Sequence, residues 1–355
     1  MKILVGLSGG VDSAVAAMLL KRAGHEVSGA IMRIWSGNHS FRGGTGKGCY
    51  SADKQEDMDC ASQVAERIGI PFRIVDVSRE YEEVVIENFR REYQSARTPN
   101  PCIRCNSYIK FGAFPAAARK LGLEFDCFAT GHYVRLRKEN GRFQLLRASD
   151  PAKDQSYFLY RLTQEQLSCV LFPLGGYRKS EIRAMAAEFG LPVSDRPDSQ
   201  DFYSGDYRDI LQRAEEPGKI VDETGKVVGH HNGFWGYTIG QRRGLGVAAK
   251  HPLYVTGLDP ENNVVHVGPV EMLKKTKMRV TDLNWSGIPV PDGPRDVRIK
   301  VRSMGMGTAG SIRPLSDGSV AVEFYEEQKS PTPGQSAVFY DGDLLLGGGL
   351  IGEVD

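Results

Sequence analysis

Two short runs of the chain space their residues in ways that suit chemistry. The first is Ser8-Gly9-Gly10-Val11-Asp12-Ser13. It follows the apolar run Ile3-Leu4-Val5-Gly6-Leu7 and precedes a helical pattern of Ala14, Val15, Ala17, Met18, Leu19 and Leu20. Strand, glycine-rich turn and helix in that order build an anion cradle. Glycines let the backbone approach a phosphate closely, and the free N–H groups and positive end of the new helix face it. The second run is Arg97-Thr98-Pro99-Asn100-Pro101-Cys102-Ile103-Arg104-Cys105-Asn106. Two prolines stiffen this loop. Two thiols stand three apart, with Arg97 and Arg104 nearby to favour thiolate. Such a pair serves as a redox couple, as half of a zinc site or as part of an iron–sulfur site. The plain alternatives are an ordinary strand-to-helix turn and a structural cysteine pair.

The turn is neither a Walker A loop, which ends in Gly-Lys-Ser/Thr, nor the Gly-x-Gly-x-x-Gly of dinucleotide-binding folds. It resembles the PP-loop of the ATP pyrophosphatase superfamily. That resemblance implies cleavage of ATP between its α- and β-phosphates and adenylation of an acceptor oxygen. Mg²⁺ would offset the charge of the departing pyrophosphate.

The elements that position these runs follow from the rest of the chain. At 355 residues it holds two or three domains with real cores. Its net charge of +1 means that a nucleic acid must be held by local patches, not by the overall field. No apolar run approaches the ~20 residues that span a bilayer. The opening strand leaves no room for a signal peptide. Six cysteines in a chain of this length make no disulfide framework. These features point to the cytoplasm and away from a membrane.

The first half alternates strands over 2–7, 26–34, 72–77 and 126–131 with helices over 13–23, 53–68, 79–95 and 108–121. This is the pattern of an α/β fold with a doubly wound parallel sheet. Its ligand site belongs at the carboxyl ends of the strands, where Ser8–Ser13 falls. Ser36–Ser51, Gly-rich and basic, reads as a mobile loop at the same edge. Residues 155–172 and 178–190 read as further helices. Ser180 serves there as the N-cap, without a capping-box Glu. From about 206 the chain carries short apolar runs between Gly, Pro and Asn/Asp turns, and after about 275 it reads as nearly all β, suggesting a small barrel. The expected division is 1–205, 206–274 and 275–355. Cys127 and Cys169 read as small core residues.

Taken together, these runs resemble the tRNA-specific 2-thiouridylase family nearly end to end. The anchors are Gly6–Ser13, Thr98–Asn106, Ala129-Thr130-Gly131-His132-Tyr133, Lys153-Asp154-Gln155-Ser156-Tyr157, Gly236–Gly246 and Thr332-Pro333-Gly334-Gln335. The resemblance implies an ATP pyrophosphatase domain, a small central domain and a C-terminal β-barrel that grips tRNA. It implies that Gly6, Leu7, Ser8, Gly9, Gly10, Val11, Asp12 and Ser13 bind ATP, with Met32 and Gly131 near the adenine and ribose. Asn100, Pro101 and Cys102 would lie against the target base, and Lys153, Asp154, Gln155, Arg302 and Ser303 would touch tRNA. Cys105 falls on the family's nucleophile. The activity implied is ATP-dependent 2-thiolation of the wobble uridine, with sulfur supplied by a donor protein or sulfide. A base in an anticodon loop must leave its stack to reach such a site.

The match breaks at Asp198-Ser199-Gln200-Asp201-Phe202-Tyr203-Ser204. Tyr203 stands where the family carries a second, persulfide-bearing cysteine. Three readings follow. Cys102 replaces the missing thiol; or Cys102 and Cys105 hold an iron–sulfur cluster with Cys49 or Cys60 as third ligand, Cys49 being favoured; or the protein binds and adenylates RNA without thiolating it. A synthetase acting on a small metabolite is the competing enzyme class. It leaves the β-rich tail without a task.

Overall fold

The computed structural model describes residues 1–35, 37, 48–51, 54–193 and 202–355. The expected loop at Ser36–Ser51 therefore lies mostly outside the described residues, as do Asp198–Asp201.

The most apolar strand takes the middle of the first sheet. Ile3, Leu4 and Val5 of β1 (Lys2–Gly6) are essentially inaccessible, as a strand covered on both faces must be. It runs parallel to β2 (Glu26–Arg33) on one side, which pairs in turn with β3 (Phe72–Asp76). On its other side lies β4 (Cys127–Ala129). A hairpin follows, β5 (Arg135–Glu139) and β6 (Arg142–Leu146), and then the short β7 (Val170–Leu171) beside β4. The order β3-β2-β1-β4-β7 reverses direction at β1. This opens a crevice at the carboxyl ends of β1 and β4. Helix α1 (Val11–Arg22) buries Ala14, Ala16 and Ala17 against the sheet, small side chains that let it lie close.

Several expectations are corrected. The 155–172 stretch is not one helix: it is a 3₁₀ turn at Ser156–Leu159, a helix at Gln164–Ser168 and the strand β7. Tertiary bonds override its helical pattern there, since the hydroxyl of Tyr157 donates to the carbonyl of Ser336 at 2.9 Å. Ser180 is not an N-cap. The helix Lys179–Glu188 is capped at Arg178, whose N–H donates to Glu181 Oε2 at 2.6 Å, so a capping-box Glu is present after all. The helix expected from 108 begins earlier. Asn100 caps it by accepting from the N–H of Ile103, and Pro101 opens it. Cys102 and Cys105 thus stand on a helix, not on a loop. That helix turns π-helical over Cys105–Ala113, and a second π segment, Glu82–Ile86, interrupts the helical run before it. Such widened turns gather at functional sites.

Strands β8 (Gly218–Val221), β9 (Val227–His231), β10 (Tyr254–Asp259) and β11 (Val264–Gly268) form a separate four-stranded sheet. The six that follow are β12 (Lys274–Asn284), β13 (Arg295–Lys300), β14 (Thr308–Pro314), β15 (Val320–Lys329), β16 (Ser336–Asp341) and β17 (Leu344–Val354). They close into a barrel through the pairing of β12 with both β15 and β17. The β5–β6 hairpin extends this barrel sheet through Leu146 and Leu344. Arg142 donates to the carbonyl of Trp285 at 2.5 Å, and Gln144 to that of Gly287 at 3.1 Å. A piece of the first half is therefore built into the C-terminal barrel. Among the described residues no helix is long and apolar enough to cross a membrane.

Candidate adenylation and sulfur-transfer site

The cradle is built by its own hydroxyls. Ser13 Oγ donates to the carbonyl of Gly10 at 3.1 Å and accepts from the N–H of Ser8 at 3.1 Å. Gly9 takes a φ of +73°, open to glycine at little cost. No side chain caps α1, so its first-turn N–H groups face the crevice ready for an anion. Gly131, just past β4, lies against the same turn. A Cβ there would stand 2.7 Å from the carbonyl carbon of Asp12 and 2.8 Å from the N–H nitrogen of Ser13. Half-buried Met32 stands near the carboxyl end of β2. The structure thus brings Gly6–Ser13, Gly131 and Met32 to one edge.

Asp12 has partners that sequence reasoning did not supply. The ammonium of Lys179 lies 2.7 and 2.8 Å from its two carboxylate oxygens, and the hydroxyl of Tyr133 donates to Oδ1 at 2.7 Å. Lys179 is 9 % exposed, at the first turn of its helix and 167 positions from Asp12. No local spacing announces such a pair. Its only signal was the helix start at 178. Mg²⁺ binds through one or two carboxylates and completes its shell with phosphate oxygens and water, so Asp12 fits as its protein ligand with ATP present.

The approach to the cysteine helix is tied to the C-terminal barrel. Thr98 donates its N–H to the carbonyl of Pro333 at 2.8 Å, and Gln335 donates to the carbonyl of Pro99 at 3.4 Å. Thr332-Pro333-Gly334-Gln335 of the barrel therefore fixes the approach to Cys102. Gly334 has φ +90°, and a Cβ on it would meet Thr98 N at 2.8 Å. We expect Gly334→Ala to destabilise the fold by about 1–3 kcal/mol, the usual size of such backbone strain. A thermal melt reads it, and a melting point equal to the parent's would refute it.

The arginines expected to activate the thiols are occupied elsewhere. Arg97 pairs with Glu92 at 2.8 Å, and Arg104 donates to the carbonyl of Val84 at 3.1 Å. Burial pushes the Cys105 thiol up to about 11, opposed by Lys110 one π-helical turn away and reinforced by Cys49. Alkylation of Cys105 should therefore keep accelerating from pH 8 to pH 10.5, where an ordinary cysteine has levelled off. A rate that levels near pH 8.5 would contradict this. None of the six cysteines forms a disulfide. Among the described residues no group of three or more Cys, His, Asp or Glu side chains is disposed to hold a metal ion. The expected set Cys49, Cys102 and Cys105 does not make a cluster cradle here. His132 is buried, with Nδ1 2.8 Å from Thr130 Oγ1, and burial and then Lys110 push its pKa well down. It stays neutral and holds the Thr130–Tyr133 turn.

Of the residues expected at tRNA, Arg302 is exposed and donates to Thr332 Oγ1 at 3.1 Å. Ser303 beside it and Lys153 are half-buried. Asn100 is spent on its cap. The carboxylate of Asp154 is only 4 % exposed. It accepts from the hydroxyl of Ser156 at 3.0 Å and faces Lys300 at 3.9 Å. Gln155 accepts from the N–H of Tyr133 at 2.9 Å. Asp154 and Gln155 thus brace the site from inside.

A parallel sheet with a glycine-rich cradle at its switch point, an Asp–Lys pair beside it and a helix carrying two cysteines define an adenylating enzyme of the ATP pyrophosphatase class. Residues 1–203 match the family described as the tRNA methyl transferase HUP domain, 209–269 the tRNA methyl transferase PRC-barrel domain, and 275–351 the aminomethyltransferase beta-barrel domain. The chain is 48 % identical over 355 residues to the tRNA-specific 2-thiouridylase MnmA of Endomicrobium trichonymphae, covering 99 % of each chain. It is 44 % identical over 358 residues to that of Geotalea uraniireducens, covering 99 % of this chain and 94 % of the other. The chain belongs to the tRNA-specific 2-thiouridylase family.

Proposed function

We propose that this chain adenylates the C2 oxygen of the wobble uridine of tRNA with ATP and then replaces that oxygen with sulfur at Cys105. The observation that carries this reading is the clamp of the barrel's Pro333 and Gln335 on Thr98 and Pro99. It ties the C-terminal β-barrel to the start of the helix that carries Cys102 and Cys105, in a chain whose first strand leads into the phosphate cradle. A uracil oxygen is a poor leaving group. Adenylation turns it into AMP, after which a sulfur nucleophile can attack C2. The backbone N–H groups at the start of α1 and the Lys179 ammonium stand where pyrophosphate charge develops, with Asp12 holding Mg²⁺. Cys105 carries the sulfur as a persulfide. Its outer sulfur attacks C2 and AMP leaves. The thiolate of Cys102, three residues before it on the same helix, then attacks the inner sulfur, the S–S bond to the base breaks and 2-thiouridine leaves. An external thiol reduces the Cys102–Cys105 disulfide that forms. The persulfide route is preferred to an iron–sulfur cluster because no three-ligand group is assembled among the described residues.

In this reading, residues 1–205 perform adenylation and 275–355 grip the tRNA. Exposed Arg242, Arg243 and Arg302 contact phosphates. Incubation with tRNA, ATP, cysteine persulfide as sulfur donor and a thiol reductant, followed by mass spectrometry of the nucleosides, tests the reading: 2-thiouridine is expected at the wobble position only. Pyrophosphate release without tRNA would instead point to a small-metabolite synthetase. Arg302→Ala should weaken tRNA binding and lower the salt dependence by roughly one counterion. An unchanged slope in a salt titration would remove Arg302 from the interface.

A further inference from the structure

The sulfur that Cys105 uses must reach it from outside, and Cys105 is half-buried against the apolar core. The structure holds a second, more accessible thiol, Cys49, on a segment that packs on the same helical run as the cysteine helix. Its neighbour Tyr50 packs on Tyr81, which leads into the π segment Glu82–Ile86, and Arg104 of the cysteine helix donates to the carbonyl of Val84 in that segment at 3.1 Å. Cys49 is exposed, yet the residues on either side of it are fixed. The N–H of Tyr50 donates to the carbonyl of Phe202 at 2.9 Å. The Tyr50 ring stacks on Tyr81 at 5.4 Å and on Phe202 at 6.0 Å, and its hydroxyl donates to Glu82 at 3.0 Å. Gly48 passes so close to the next strip of chain that a Cβ would stand 2.9 Å from Tyr203 Cα and Ser204 N. A thiol held on both flanks, open to solvent and on a segment that shares its packing surface with the cysteine helix is placed for exchange. Tyr203 offers no competing group, for its hydroxyl donates to Asp209 at 2.9 Å.

We propose that Cys49 is the acceptor thiol that takes sulfur from an external persulfide and passes it to Cys105. The inference rests on the persulfide reading of the function. In the first step the Cys49 thiolate attacks the outer sulfur of R–S–SH. A new S–S bond forms on Cys49, the old S–S bond breaks, and R–S⁻ leaves as a thiolate. In the second, the Cys105 thiolate attacks the outer sulfur of Cys49–S–SH, and Cys49 leaves as its thiolate. Each step exchanges one S–S bond for another, so no oxidant or reductant is consumed.

The test treats the full chain with cysteine persulfide, without ATP, then alkylates it and maps the sulfane sulfur by peptide mass spectrometry. Cys105→Ser should retain the label on Cys49. Cys49→Ser should load Cys105 at least tenfold more slowly than the parent, with an unchanged melting point. With tRNA and ATP, the thiolation deficit of Cys49→Ser should shrink when free sulfide, which displaces AMP from C2 directly and needs no thiol carrier, replaces the persulfide. Loading of Cys105 in Cys49→Ser at the parent's rate would overturn the proposal, as would label on Cys102 and none on Cys49 in Cys105→Ser. Absence of tRNA-dependent pyrophosphate release from the parent would overturn the function reading instead and leave the sulfur map standing.

Discussion

Replacement of Cys105 by serine should lower thiolation by at least about 10³-fold, in the range expected when a covalent nucleophile is removed, while tRNA affinity changes by less than about twofold. The hydroxyl nearly matches the thiol in size, and the side chain is half-buried against apolar neighbours, so the helix survives the change. What is lost is an atom that can carry sulfane sulfur. The exposed arginines assigned to tRNA, Arg242, Arg243 and Arg302, stand on other elements. Cys102→Ser separates the two thiols. If Cys102 breaks the link between Cys105 and product, this variant adenylates the base and bonds it to Cys105 once and then stalls before release, so a burst of pyrophosphate survives while free 2-thiouridine falls. A pyrophosphate assay reads the burst, mass spectrometry of the nucleosides reads the released product, and a filter-binding titration reads affinity. Loss of tRNA binding in Cys105→Ser would mean that the cysteine supports the structure and does not do the chemistry.

How far the site could be read from sequence depended on the range of its contacts. The cradle was legible because strand, turn and helix are consecutive, and Ser8, Gly10 and Ser13 bond among themselves. Parallel pairing followed from the crossover helices. The barrel was visible as a run of short strands. Its closure through β12 and β17, and the addition of β5 and β6 from the first half, were not visible, because strand pairing at such separations leaves no local trace. Arg97 and Arg104 were assigned to the thiols by proximity in sequence. In space they turn to Glu92 and Val84, and the cation that bears on Cys105 is Lys110, brought round by a π-helical turn that periodicity of 3.6 does not anticipate. The motif Thr332–Gln335 was legible as an anchor of the resemblance. Its task of clamping Thr98 and Pro99 became visible only from the fold.

Lys179 is the residue sequence reading missed whose removal should cost the most. It lies against both oxygens of Asp12 at the mouth of the cradle, 11 % exposed in its side chain against 28 % for the carboxylate. In the absence of nucleotide the pair neutralises itself. In the proposed reading, ATP would bring its phosphates to the same ammonium, and Asp12 would hold the metal ion. Lys179→Met keeps the length and apolar volume of the side chain and removes only the charge. Two effects then act in the same direction. Pyrophosphate loses a cation where its charge develops, and the Asp12 carboxylate, left with the Tyr133 hydroxyl, repels the incoming phosphates. Loss of one such electrostatic contact costs roughly 10²–10³ in rate, so tRNA-dependent pyrophosphate release should fall by about that factor. The fall should appear in kcat, with a smaller change in KM for ATP, because the charge that Lys179 offsets grows toward the transition state. Asp12→Asn should impair the same step. The double variant should be less damaged than the product of the two single losses, since each single change strands the other partner. A rise in KM with kcat intact would assign Lys179 to ground-state binding of ATP. Strictly multiplicative losses would show that the two residues act separately.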